Sequence, residues 1–239
     1  MKAARPTTSV GAADSVRRAF GPGITRFKRD RTSLVRLGGW LGLLGAALFG
    51  VTVAALHAAH VIPGWTDHYI SEFANDPHGS VFTVALFLHG LGNLALSAAL
   101  YLALSPGRLR GWAAGLLAYS AIGVCIGALY PTDVGGLAHT LDGIVHRIAA
   151  FSSFLTELVA LFLFSAAFSG HPIWRRWARG SYVISSIAAF TLLLLVLAEA
   201  TNQYPGLAER LAIASQCMWE TAAATMLACH YSQATRTQS

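Results

Sequence analysis

Six apolar stretches, each close to the thickness of a lipid bilayer, constrain this chain more than any other feature. They run Leu37–Val61, Val81–Leu104, Trp112–Tyr130, Asp142–Phe168, Tyr182–Thr201 and Leu207–His230. Crossing the hydrocarbon layer takes about 20 mostly apolar residues per helix. Six such stretches in 239 residues leave no room for a separate soluble catalytic domain. Charged residues make up 12% of the chain, against roughly 25% in soluble domains, and the mean hydropathy is +0.52. The stretches are rich in Leu, Ala, Val and Gly, do not alternate, and exceed the length of barrel strands. In lipid every backbone N–H and C=O must be paired internally, so helices are the spanning form. The expected fold is all-α: a six-helix transmembrane bundle over residues 37–230, with a basic arm at 1–36 and a short tail at 231–239.

Lys and Arg orient the bundle. Fifteen of the 17 fall before the first span, in the second and fourth connections, or in the tail, while Arg147 and Arg210 open helices four and six. The positive-inside rule then puts both termini in the cytoplasm and turns the first, third and fifth connections outward. The arm ends in "RFKRDR", has no sustained apolar period, and is expected to be disordered and to touch anionic lipid head groups. A cytoplasmic membrane of bacterial type is the expected location. An organellar transit peptide is the alternative, because the arm is Arg-rich and acid-poor.

Several classes drop out. There is no G-x-x-x-x-G-K-[ST] loop for ATP-driven work. The only lysines, Lys2 and Lys28, lie outside the spans, which removes a retinal Schiff base. Cys125, Cys217 and Cys229 lie in spans without a C-x-x-C pair and read as small hydrophobes. No internal repeat is visible. The partners expected are membrane lipids rather than nucleic acid, and the sequence does not fix an oligomeric state.

The titratable residues gather at the outward end. Seven of nine histidines lie there: His57, His60, His68, His78, His89, His139 and His146. Asp67, Glu72, Asp76, Asp133, Asp142, Glu199 and Glu209 accompany them. If the fourth helix starts near Ala138, then His139, Asp142 and His146 share one face, which continues through Ser153 to Glu157. Helix six offers Glu209, Gln216 and Glu220, and helix two His89, Asn93 and Ser97. A charge at the centre of a span costs about 2.5–3.5 kcal/mol, so Glu157 and Glu220 are expected to face the interior. His89 and His146 lie at similar depth, about 12–14 Å below the outer surface by the helical rise. Gln216, Asn93, Ser97 and Ser153 are expected to bond between helices. Asp133 and Arg210 are placed to tie two outer ends by an ion pair, and Arg147 to bind a phosphate head group or pair with Asp142 or Glu199.

The order of "YISEFA" after the first helix, "YPTD" closing the third, "GIVHRIAAF" early in the fourth and "GLAERL" opening the sixth resembles an uncharacterised bacterial multi-pass membrane protein family, domain of unknown function nine-nine-eight. The resemblance covers about Leu37 to His230 and implies an integral membrane protein with no assigned reaction. Carried over residue by residue, it points at Ser71, Glu72, Asp133, His146, Glu209 and Arg210.

Four functions remain open. One is a metal-assisted hydrolase or transferase acting on membrane lipid, with His89, His139, Asp142 and His146 as zinc ligands and Glu72, Asp133, Glu157 and Glu220 as acid–base groups. Another is a proton-coupled carrier using Glu157, Glu220 and Glu199. A haem-based electron carrier on His89 and His146 and a structural membrane protein complete the set. Without a G-x-S-x-G elbow, Ser71 carries no serine-hydrolase reading.

Overall fold

The computed structural model describes residues 10–59, 64–136 and 138–231, with side chains from Asp30 onward, Gly136 excepted. His60, most of the tail and the first nine residues of the arm lie outside them. Among the described residues the protein is all-helical. Six long helices follow one another: α1 Val10–Ala58, α2 Gly79–Ala103, α3 Arg108–Leu129, α4 Leu141–Ser169, α5 Arg175–Thr201 and α6 Pro205–Thr225, the last continuing as a π turn over Met226–His230. Two short 3-10 turns, Ile70–Asn75 and Val134–Gly136, lie in the first and third connections.

Five helices are long and apolar enough to cross a membrane: α1 from Asp30 onward and α2 to α5. Helix α6 is not among them, because Glu209, Arg210, Gln216 and Glu220 dilute its 21 residues. Large apolar side chains such as Leu44, Val84, Ile122, Leu155 and Leu193 stay exposed around the outside, as a lipid-facing surface requires.

Helix ends depart from the hydropathy boundaries where charge begins. Helix α1 starts well inside the arm expected to be disordered, α3 at Arg108 rather than Trp112, and α5 at Arg175 rather than Tyr182. A formed helix extends one hydrogen bond at a time at little cost, so polar residues at the interface need not stop it. At the end away from the termini the stops are specific. Thr140 caps α4 by accepting from Gly143 N at 3.0 Å. Asn202 closes α5 in the left-handed conformation, and Pro205 opens α6 at a position that needs no N–H.

Each helix packs on its sequence neighbours, and α6 returns to α1, which closes a ring. Close approach depends on missing side chains. A Cβ on Gly45 would stand 2.9 Å from Leu88 O and 3.2 Å from the His89 Cα. The half of the ring nearest the termini is largely apolar and aromatic, with a buried Ser165–Ser181–Ser185 hydroxyl cluster to which Trp219 Nε1 donates. Phe164, Phe168, Trp174 and Trp219 stack there, Phe168 on Trp174 at 4.9 Å and Phe168 on Trp219 at 6.2 Å, among Leu96, Leu100, Leu117, Leu161 and Leu227. Arg31 and Arg36 tie α1 to Leu102 O and Ala228 O at the same end.

Candidate functional site

The other half of the ring holds a vestibule. Its walls are Phe49, Ile70, Phe82, Leu86, Phe154 and Ile213, and its polar lining includes Ser71, His89, His146, Ser153, Glu157, Glu209, Gln216, Cys217 and Glu220. The space at its centre is about 90 Å³, enough for several waters at about 10–15 Å³ each. A second depression shares Ser71, His146, Ala150, Phe154 and Glu209 with it and reaches the surface between α4 and α5 beside Arg147 and Glu199.

At the floor, α2, α3, α4 and α6 converge. Ser120 Oγ donates to Glu157 Oε2 at 3.0 Å, and Asn93 Nδ2 donates to Glu220 Oε1. The Glu157 and Glu220 carboxyls line the same cavity. His89 Nε2 stands 3.4 Å from Glu220 Oε2 and 3.9 Å from Cys217 Sγ, its ring stacked on Phe49 at 5.1 Å. Among the described residues, His89 Nδ1, Asn93 Oδ1, Glu157 Oε1 and Glu220 Oε2 are buried without a hydrogen-bond partner.

Halfway up, His146 Nδ1 lies 3.0 Å from Gly127 O and 2.8 Å from Tyr130 O. Carbonyls only accept, so Nδ1 carries a proton and donates to them. The interhelical bonds expected of the smaller polar groups are present: Ser97 to Ala114 O, Ser153 to Ser120 O and Gln216 to Phe154 O.

The rim is a knot of loop and helix ends. Glu209 accepts from Ile70 N. Glu72 accepts from Tyr69 N and Gly135 N at 3.3 Å each, and its other oxygen meets His68 Nδ1 at 2.9 Å. The short strings that carried the resemblance therefore meet in space. Arg147 pairs with Glu199 at 2.8 Å, and Glu199 also accepts from the Tyr69 hydroxyl at 2.7 Å. Burial first, then that bond to Glu199, pushes the Tyr69 phenol well above its usual range.

Three expectations are corrected. Helix α4 begins at Leu141, so His139 lies before it, and His139 and Asp142 are both exposed. No three of His89, His139, Asp142 and His146 come within ligand reach of one another among the described residues; the trio that does is His89, Cys217 and Glu220. Asp133 and Arg210 do not pair. Asp133 accepts from His139 N, Thr140 N and Thr140 Oγ1, while Arg210 donates to His57 Nε2, His68 O and Gly206 O. The two histidines proposed as a haem pair share the cavity, yet His89 is engaged with α6 and His146 with α3. Sequence reasoning passed over Cys217 and Ser120. For Cys217 a signal existed: it stands three residues before Glu220, on the same helical face.

The family model of DUF998, described as a protein of unknown function, matches residues 43–226. No curated protein and no solved structure matches the chain.

Proposed function

We propose, for a chain that belongs to the DUF998 family of proteins of unknown function, a multi-pass membrane enzyme that admits the polar end of a lipid-like molecule to the vestibule, where Glu157 acts as general base. The observation behind this is the convergence of unpartnered buried polar atoms. Seven side-chain atoms of this kind occur among the described residues, and four belong to the neighbouring His89, Asn93, Glu157 and Glu220. An unmet buried donor or acceptor costs about 1–3 kcal/mol. Concentrating four of them in one place suits a site whose occupant completes the bonds.

The shape narrows the occupant. Apolar walls above a polar floor suit an amphipathic molecule entering head first, and the side opening lies beside the Arg147 guanidinium, which is 44% exposed. By the distribution of Lys and Arg, both termini face the cytoplasm of a bacterial cell and the vestibule opens to the opposite leaflet. Glu157 Oε2 is held by Ser120 while Oε1 has no partner, so Oε1 is the oxygen that takes a proton from an attacking water or hydroxyl.

The test is turnover in vesicles of phosphatidylethanolamine and phosphatidylglycerol, with products read by mass spectrometry. The wild type is expected to convert lipid, and Glu157→Gln to do so at least ~100-fold more slowly, the usual share of a general base. No conversion by the wild type, or undiminished conversion by the variant, overturns the proposal.

A further inference from the structure

The geometry points to a zinc-type divalent metal site formed by His89, Cys217 and Glu220 at the vestibule floor, with its fourth position turned into the cavity. The three ligand atoms lie within 4.8 Å of one another. Zinc bonds of about 2.0–2.2 Å to nitrogen or oxygen and about 2.3 Å to sulfur, arranged tetrahedrally, set ligand–ligand edges of about 3.3–3.6 Å. Two of the three separations, 3.4 Å from His89 Nε2 to Glu220 Oε2 and 3.9 Å from His89 Nε2 to Cys217 Sγ, sit within a few tenths of an ångström of those edges, and the third lies within 4.8 Å.

The donor set selects the ion. Magnesium and calcium take oxygen ligands, whereas one thiolate, one imidazole and one carboxylate suit zinc. Three protein ligands facing a space of about 90 Å³ match the open pattern of catalytic zinc rather than the closed pattern of structural sites. The surroundings supply part of the orientation that such ligands need, His89 Nδ1 having no hydrogen-bond partner among the described residues. Cys217 and Glu220 share a face of α6, the His89 ring lies flat on Phe49, and Asn93, one turn along α2 from His89, fixes the outer oxygen of Glu220. Glu157 lines the same cavity without being one of the three ligands, which leaves it free to act on what the fourth position holds.

This inference deepens the enzyme reading, yet its test needs no substrate. Full-length protein purified in detergent from zinc-supplemented cells is expected to hold close to one zinc per chain by elemental mass spectrometry. Cys217→Ser and His89→Ala should lower that content at least tenfold, while Glu157→Gln should keep it. Cobalt replacing zinc in the wild type should show a near-ultraviolet thiolate-to-cobalt charge-transfer band, a readout that does not depend on any variant folding. Trace zinc only in the wild type, retention in Cys217→Ser, or a cobalt form without that band overturns the site. Missing zinc together with Glu157-dependent turnover would overturn the metal site alone, and bound zinc without turnover would overturn the enzyme reading alone.

Discussion

Asp133 is among the most heavily engaged carboxylates of the rim. It accepts from Thr140 N at 2.9 Å, Thr140 Oγ1 at 2.7 Å and His139 N at 2.7 Å. The Thr140 bonds, then the His139 bond, hold its carboxyl below the usual range. A depressed folded-state value means that the contribution to stability is complete above the unfolded value, about pH 4, and disappears as pH falls through the folded one. Amide exchange at the start of α4 should therefore be faster in Asp133→Asn than in the wild type at neutral pH, and the difference should vanish in strong acid. A difference that persists there would sink the clasp. The residue types of the site were legible in the sequence, but the partners were not. Glu157, Glu220, His89 and Gln216 were recognisable because buried polar groups in a lipid-facing chain must turn inward. His139 was misplaced because the helix was started near Ala138, and before Leu141 the chain is not helical, so the step of about 100° per residue does not carry its side chain onto that face.

At the level of elements, hydropathy identifies the helices well and their ends poorly. It measures what lipid tolerates, and the backbone bonds of α5 run on through Arg175, Arg176 and Arg179 all the same. Helix α6 shows the converse: too polar to register as a span on its own, it closes the ring between α5 and α1 and carries both Cys217 and Glu220. Contact between α1 and α2 depends on Gly45, which abuts the backbone of Leu88 and His89. Gly45→Val forces that backbone away at a cost of about 1–3 kcal/mol and shifts His89 with it. Thermal unfolding in detergent should move to lower temperature. Gly50, on the same helix with open space where a Cβ would stand, is the control, and Gly50→Val should not lower the unfolding temperature, since valine is no worse a helix former than glycine. Equal effects at the two positions would mean that helix propensity rather than close approach matters.

The whole molecule has two unlike ends: an aromatic layer near the termini and a vestibule lined by ionisable groups at the other side. Which leaflet feeds the vestibule depends on orientation, and orientation depends on where lysine and arginine stay behind during insertion. The connection between α5 and α6 contains exposed Gln203 on the vestibule side, while exposed Arg176 starts α5 on the other. In intact cells a membrane-impermeant maleimide should label Gln203→Cys, and it should label Arg176→Cys only after permeabilisation. Native Cys229, exposed near the end of the last helix, should behave like position 176. The reverse pattern would turn the vestibule toward the cytoplasm and require the lipid to arrive from the inner leaflet. Labelling of both positions in intact cells would mean that the ring inserts in two orientations, and a single-sided site could then serve only a fraction of the copies.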